Sequence, residues 1–208
     1  QFYASSVAQF IDTHGIDRSQ IRALGNHGQT IRHNPDGPTP YTLQIGDPSI
    51  IAAHCDLPVV ADLRRKDLAL GGQGAPLAPA FHQYLFRRTK VDRVIVNIGG
   101  IANITYLPAN SDWPVSGFDT GPGNTLIDAL CRDRLQQPYD TNGDIAATGH
   151  IDHTLVKAAL ENEKYFQQPL PKTTGTDYFS PSWIEQFGFN ALSDADAIAS
   201  MTELVSLS

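Results

Sequence analysis

The sequence has 208 residues, of which 41% are hydrophobic and 18% are charged, which excludes an intrinsically disordered chain. Its 15 basic and 22 acidic residues give a formal net charge of −7, so no basic surface for nucleic acid or an anionic membrane is expected. Every apolar stretch is soon interrupted by glycine, asparagine or a charge, and no transmembrane helix is predicted. Cys55 and Cys131 are too few for a disulfide scaffold and wrongly spaced for a zinc ribbon. They favour a reducing, cytosolic setting and two small buried apolar side chains.

The first half of the chain predicts a mixture of short strands and helices. An opening helix carries apolar residues at positions 2, 7, 10 and 11 and ends at His14-Gly15. Strands are predicted over residues 21–25, 41–45 and 57–61, and helices over 48–54 and 77–86, each with a proline near its start.

The second half predicts a new α/β unit. Strands over 94–98 and 102–107 are joined by Gly99-Gly100, a hairpin signature, and a third strand over 115–118 ends at Asp119. Helices are expected over 125–135, 153–166, 182–187 and 193–207. The basic link 87–93 places the boundary, with residues 1–90 in a first lobe and 91–208 in a second.

The last predicted helix has an apolar face formed by Ile198, Met201 and Val205, and nothing follows to cover it. Because the helices at both ends look unfinished, we interpret the chain as an interior fragment of a longer protein. The alternative is a small natural protein with frayed ends.

Common catalytic motifs are absent from the sequence. It has no Walker A loop, no G-x-S-x-G and no H-E-x-x-H. The segment 97–103 fails the G-x-G-x-x-G pattern and is followed by a strand, so a Rossmann fold is not expected.

Polar glycine turns remain as candidate sites. The Gly99-Gly100 turn exposes backbone amides that a phosphate could approach, although a tight turn that needs positive φ explains the pair at least as well. Asn97 and Asn103 flank it inside apolar strands and need partners.

Asp119 is the strongest single candidate, because it leaves an apolar strand into a two-glycine turn before a helix whose N-terminus favours anions. It could act as a general base. The alternative is an Asx-turn or a helix cap.

Further candidates lie in the first lobe. His27 could be a core histidine bonded to its own loop. Arg64 and Arg65 are either a solvated ion-pair cluster with nearby aspartates or a guanidinium site for an anion or a sugar. Amides such as Gln29 and Gln73 suit sugar hydroxyl and acetamido groups.

Five segments in this order and spacing resemble the anhydro-N-acetylmuramic acid kinase family along essentially the whole chain. They are Asn26-His-Gly-Gln-Thr30, Ala61-Asp-Leu-Arg-Arg, Gly71-Gly-Gln-Gly-Ala-Pro-Leu77, Val96-Asn-Ile-Gly-Gly-Ile-Ala-Asn-Ile104 and Gly117-Phe-Asp-Thr-Gly-Pro-Gly-Asn124. The resemblance implies a two-lobed α/β architecture of the sugar kinase and actin-like (ribonuclease H-like) type, incomplete in this chain, with ATP and Mg²⁺ between the lobes. It also implies a cytoplasmic enzyme, a small amino sugar as substrate and a homodimer.

The implied reaction opens the anhydro bridge with water and phosphorylates the freed 6-oxygen, as part of peptidoglycan recycling. By resemblance Asp119 is the base. The implied sugar-binding residues are His27, Gln29, Thr30, Arg64, Arg65 and Gln73. The implied nucleotide-binding residues are Gly99, Gly100, Asn103, Gly121, Gly123 and Asn124.

Three features of the family have no counterpart in this chain. They are the early Gly-Thr-Ser-x-Asp-Gly phosphate loop, a late Gly-Gly-Gly adenosine motif and a following acidic residue of the sugar site. The parent function is therefore expected to be that of the kinase, while this chain alone is expected to be inactive. A non-catalytic α/β domain that binds the sugar or another partner on the same scaffold is the alternative.

Overall fold

The computed structural model describes residues 1–35 and 37–208, which form two compact units, Gln1–Ala75 and Pro76–Ser208. This division lies before the helix at Ala78–Phe86, whereas the predicted lobe boundary lies after it. The helix belongs with the second unit because it packs on that unit's sheet. Its His82 Nδ1 lies 2.9 Å from the hydroxyl of Thr105, and its Pro79 occupies the space beside Gly117. The assignment of the two sequence regions to two lobes of a kinase stays a prediction.

Among its described residues, the first unit contains two small sheets and three α-helices. The elements are α1 (Phe2–Thr13), β1 (Leu24–Gly25), β2 (Gln29–Asn34), β3 (Tyr41–Ile45), α2 (Pro48–Cys55), β4 (Val59–Val60) and α3 (Arg65–Ala69). Strands β1 and β4 pair in parallel, and β2 and β3 pair antiparallel. A short core of Ala4, Ile51 and Cys55 joins α1 to α2. Helix α2 begins where predicted because Asp47 accepts a hydrogen bond from the Ser49 amide at 2.8 Å.

Two elements of this unit were not predicted, and two strands are shorter than expected. Because β2 begins at Gln29, both Gln29 and Thr30 lie in a strand rather than in the predicted loop. Helix α3 occupies part of the segment interpreted only as a charged cluster. Phe2 and Phe10 of α1 are exposed, whereas Ile11 is buried as its helical spacing predicts.

The second unit is a three-stranded antiparallel sheet with five helices. The elements are α4 (Ala78–Phe86), β5 (Arg93–Ile98), β6 (Ile101–Leu107), β7 (Ser116–Pro122), α5 (Thr125–Leu135), α6 (His153–Asn162), α7 (Pro181–Gln186) and α8 (Asp194–Leu207). The strand order is β5-β6-β7.

Strand β7 extends beyond the predicted end at Asp119. Its ladder with β6 continues through Gly121 and Pro122 after an irregularity opposite Ala102 and Asn103. The expectation that Asp119 ends its strand is therefore wrong. The residue lies inside the strand because β6 is long enough to keep pairing with it.

The core of the second unit lies between α5, α6, α7 and α8. Ile198 and Met201 of α8 are fully buried there and Val205 packs against them. The expectation that nothing covers this face is wrong, because the preceding helices of the same unit cover it. Cys55 and Cys131 are both buried and free, as predicted. In the described ranges no helix has the length and apolarity needed to cross a membrane.

Candidate functional site

A row of polar side chains crosses the sheet of the second unit. Asn97 on β5 pairs with Asn103 on β6, and Asn103 pairs in turn with Asp119 on β7. Because residues directly opposite each other point to the same face of a sheet, the register brings three residues from separate segments together. Sequence reasoning singled out each of them without predicting this row.

Asp119 is only 9% exposed and is held by four hydrogen bonds. Its amide donates to the carbonyl of Lys172 at 3.0 Å, and its carbonyl accepts from the hydroxyl of Tyr165 at 2.7 Å. Its carboxylate oxygen Oδ2 accepts from the Thr173 hydroxyl at 2.8 Å and from the Thr174 amide at 2.9 Å. Across the described part of the chain, the other oxygen, Oδ1, accepts no hydrogen bond.

These contacts come from two segments, residues 163–166 and 172–174, which we call the Asp119 cradle. Lys172 ties the segments together, since its Nζ donates to the carbonyls of Tyr165 at 3.2 Å and Phe166 at 3.4 Å. The same Nζ lies 4.6 Å from the centre of the Tyr165 ring, within the range of a cation–π interaction. Burial lowers the pKa of the Lys172 amine.

A buried carboxylate, Glu163, anchors the other side of the cradle. It is 4% exposed and accepts hydrogen bonds from the Tyr165 amide at 2.8 Å, from Trp183 Nε1 at 2.7 Å and from the Tyr178 hydroxyl. Burial, followed by this last hydrogen bond, raises the pKa of Tyr178 to about 12. Burial, followed by the charge of Asp119, raises the pKa of Tyr165 as well.

Sequence reasoning missed the cradle. The loop at residues 172–177 received no predicted role, and the helix predicted over 153–166 ends instead at Asn162. The one signal that could have pointed to the cradle is the pair of adjacent threonines in that loop. Nothing local in the sequence shows that they face a strand more than fifty residues earlier.

The turn at Gly99 and Gly100 packs against the start of α5. The amides of Gly123 and Thr125 donate to the Gly100 carbonyl at 2.8 and 3.1 Å, and the amide of Asn124 donates to the Gly99 carbonyl at 2.8 Å. Only the Thr125 amide belongs to α5, and the other two amides directly precede the helix. The hairpin therefore binds the residues that lead into α5, and the expectation that the helix N-terminus favours an anion stays a prediction.

The four glycines near this turn fall into two pairs. A Cβ atom on Gly123 would overlap the Gly99 carbonyl oxygen, and one on Gly121 would lie 2.8 Å from the Phe166 ring. Packing within the protein accounts for glycine at these two positions. By contrast, Cβ atoms on Gly99 and Gly100 would meet nothing closer than 3.6 and 3.7 Å. Packing within the protein therefore does not require glycine at these two positions, and Gly100 and the neighbouring Asn124 are exposed.

In the first unit the structure brings His27 and Arg64 together. Arg64 Nε donates to His27 Nε2 at 2.8 Å, and its Nη1 donates to the Gly74 carbonyl at 3.2 Å. Asp67 accepts a hydrogen bond from the Gly74 amide at 2.7 Å. Arg64 thus connects the loop at residues 26–28 to the glycine loop at 71–74. His27 is exposed, so the core location in that alternative is wrong, whereas its Nδ1 does lie 3.0 Å from the Gly28 carbonyl of its own loop.

The remaining predicted sugar contacts have different environments. Arg65 pairs with Asp62 at 2.6 Å on the surface, with its side chain 70% exposed, so the solvated ion pair is present for this arginine. The Thr30 hydroxyl accepts a hydrogen bond from Gln44 at 3.1 Å. Gln29 is exposed and Gln73 is half-buried.

Comparison with known proteins decides the family of this chain. The profile of the family described as anhydro-N-acetylmuramic acid kinase matches residues 1–208. The chain belongs to the anhydro-N-acetylmuramic acid kinase family. It is 51% identical over 204 residues to the protein of that name from Shewanella amazonensis, covering 97% of this chain and 55% of the relative.

Two further relatives carry the same name. The one from Coxiella burnetii is 50% identical over 186 residues, covering 89% of this chain and 50% of the relative. The one from Shewanella sediminis is 48% identical over 204 residues, covering 97% and 55%. The chain therefore spans about half the length of the curated relatives it matches. Family membership confirms the expected fold class, and the mixed α/β units agree with it.

Proposed function

We propose that this chain carries the catalytic base and the phosphate-contacting hairpin of an ATP-dependent kinase acting on 1,6-anhydro-N-acetylmuramic acid. The hydrogen bonding of Asp119 is the observation that supports this proposal. Its buried carboxylate accepts two hydrogen bonds at Oδ2, and Oδ1 has no partner in the described chain. A carboxylate that only held a turn would use its oxygens within that turn. Here the free oxygen can accept a proton from a bound water.

In the proposed reaction Asp119 Oδ1 takes a proton from water as the water oxygen bonds to the anomeric carbon. The bond from that carbon to the bridging 6-oxygen breaks, and its electron pair stays on the 6-oxygen. The 6-oxygen then bonds to the γ-phosphorus of ATP, and ADP leaves with the electrons of the broken phosphoanhydride bond. The proton on Asp119 passes to solvent. The products are N-acetylmuramic acid 6-phosphate and ADP, in the recycling of peptidoglycan.

Phosphoryl transfer depends mainly on positioning and on stabilising charge. The Gly99-Gly100 turn would meet this need, because packing does not require glycine there and backbone without side chains can approach phosphate oxygens closely. Asn103 lies in the polar row, and Asn124 is exposed beside the turn. Gly123 packs tightly against the backbone of the turn, whereas Gly121 packs against Phe166.

Mg²⁺ would offset the charge of the nucleotide phosphates. Among the residues described, no group of three His, Cys, Asp or Glu side chains could hold a metal ion. Magnesium at kinase sites is commonly held by substrate phosphates, water and one or two carboxylates. We therefore assign no residue of this chain to it.

The first unit would supply contacts to the amino sugar. The proposed residues are His27, Gln29, Thr30, Arg64, Arg65 and Gln73. Arg64 and His27 already form one hydrogen-bonded pair, so His27 would orient the Arg64 guanidinium for the acid or amide groups of the sugar. A homodimer in the cytoplasm is the proposed setting.

The proposal is tested by following ADP in a protein of full family length that contains this chain. We expect ADP to form only when the anhydro sugar is present, with one sugar 6-phosphate made for each ADP, as measured by phosphorus NMR. Calorimetric binding of the sugar without any ADP would contradict the proposal and identify a non-catalytic binding domain.

A further inference from the structure

We propose that Thr173 is a positioning residue for this reaction, because its hydroxyl holds Oδ2 of Asp119 and so directs Oδ1 towards the reacting water. The inference rests on the proposed role of Asp119 as the base. It assigns Oδ1 of Asp119 as the atom that accepts the proton and Thr173 as the side chain that leaves Oδ1 available.

The geometry at the carboxylate carries the argument. The last torsion of an aspartate side chain is broad and nearly two-fold, so an unrestrained carboxylate would exchange its two oxygens. Here two donors, the Thr173 hydroxyl and the Thr174 amide, converge on one oxygen at 2.8 and 2.9 Å. Together they restrain rotation of the group and leave the other oxygen for substrate.

The backbone of Asp119 is fixed at the same time. The Asp119 amide donates to the Lys172 carbonyl, and the Asp119 carbonyl accepts from the Tyr165 hydroxyl. Because Lys172 directly precedes Thr173, the bond to the Asp119 amide also sets where the Thr173 side chain begins. The segment 172–174 thus holds both the main chain and the carboxylate of Asp119.

Of the two donors to Asp119 Oδ2, only the one from Thr173 belongs to a side chain. The bond from Thr174 comes from the main chain, and any residue except proline supplies that donor. The bond from Thr173 needs a hydroxyl, which serine retains and valine lacks. Valine has nearly the shape of threonine, so the exchange removes the donor with little change in volume.

The test compares Thr173→Val, Thr173→Ser and a matched control, Thr202→Val, in a protein of full family length. Thr202 lies on α8 and donates its hydroxyl to the Ile198 carbonyl of its own helix. We expect Thr173→Val to lower kcat by roughly 10- to 100-fold, since misplacing a catalytic group by about 1 Å costs on the order of 10². KM for the sugar and for ATP should stay within about two-fold, because the Thr173 hydroxyl donates to Asp119 and its loss would act on kcat through that carboxylate.

We expect Thr173→Ser to restore most of kcat and Thr202→Val to leave kcat unchanged. An unchanged kcat in Thr173→Val overturns the inference, and so does a serine variant as slow as the valine variant. If Thr173→Val does not fold, Thr173→Cys replaces it, because a thiol is a small side chain but a weak donor. A full kcat in that variant overturns the inference in the same way.

Asp119→Asn is measured alongside to separate the two claims. If that variant keeps its kcat, the proposed base is wrong. If it loses kcat while Thr173→Val keeps it, Asp119 remains the base and only the positioning role fails.

Discussion

Replacing Gly123 with alanine should destabilise the second unit strongly, because the new methyl group has no space. Its Cβ would overlap the Gly99 carbonyl oxygen and lie 3.2 Å from both the Ala102 amide nitrogen and the Gly100 carbonyl oxygen. All three are backbone atoms and cannot rotate away. The hairpin and the start of α5 must therefore separate.

The expected loss can be worked from this contact. Over-packing costs about 1–3 kcal/mol. The separation also weakens three hydrogen bonds of 2.8, 2.8 and 3.1 Å between the turn and α5, each worth about 1 kcal/mol. Because the movement relieves the overlap only as it stretches these bonds, we expect about 2–4 kcal/mol in total.

Urea unfolding followed by tryptophan fluorescence measures this loss, since Trp113 and Trp183 both belong to the second unit. Gly99→Ala is the matched control. Its Cβ would meet nothing closer than 3.6 Å, so we expect a change within about 0.5 kcal/mol. A Gly123→Ala variant as stable as the parent, or a Gly99→Ala variant equally destabilised, would refute the packing argument.

Three other predictions concern stability and activity. Arg64→Ala should lower the free energy of unfolding by about 1–2 kcal/mol, because it removes two hydrogen bonds that join loops. Arg65→Ala removes an exposed ion pair and should change that free energy by no more than about 0.5 kcal/mol. Equal shifts of the two unfolding temperatures would contradict this. The pKa of Tyr178 is raised to about 12 from 10.0. The contribution of this residue to folding stability is therefore fully present below pH 10 and is lost as the pH rises through about 12. Tyr178→Phe should reduce this alkaline loss of stability in pH-dependent urea titrations, and an unchanged loss would argue against a raised pKa of Tyr178. This chain alone should release no measurable ADP, because the motifs named above are absent from it; turnover near that of a protein of full family length would contradict the expectation.

Local patterns predicted most elements of the fold. The Asp47-Pro48 start of α2 carries its own signal in capping chemistry. The Gly99-Gly100 pair marks the hairpin, although neither glycine has the positive φ that favours glycine in such turns. Strand β2 carries none, because its residues, Gln29–Asn34, are mostly polar and it exists through pairing with β3. The end of β7 was missed for the same reason, since pairing with β6 extends it through a glycine and a proline.

The candidate site shows the same difference between residues with local signals and residues placed by distant contacts. Asp119 and the glycine turn were predicted from residue type and from the resemblance to the family. The cradle depends on contacts between distant segments, such as Thr173 with Asp119 and Glu163 with Trp183. No local rule connects residues that meet only after the chain has folded.

The kcat of Asp119→Asn, in a protein of full family length containing this chain, tests the central claim most directly. Asparagine keeps the shape of the side chain and an oxygen that can still accept from Thr173 and Thr174, but its amide has almost no basicity. If Asp119 is the base, kcat should fall roughly 10²–10⁴-fold while the sugar affinity and the unfolding temperature change little. A kcat within a few-fold of the parent would contradict the account and leave Asp119 as a structural residue of the sheet.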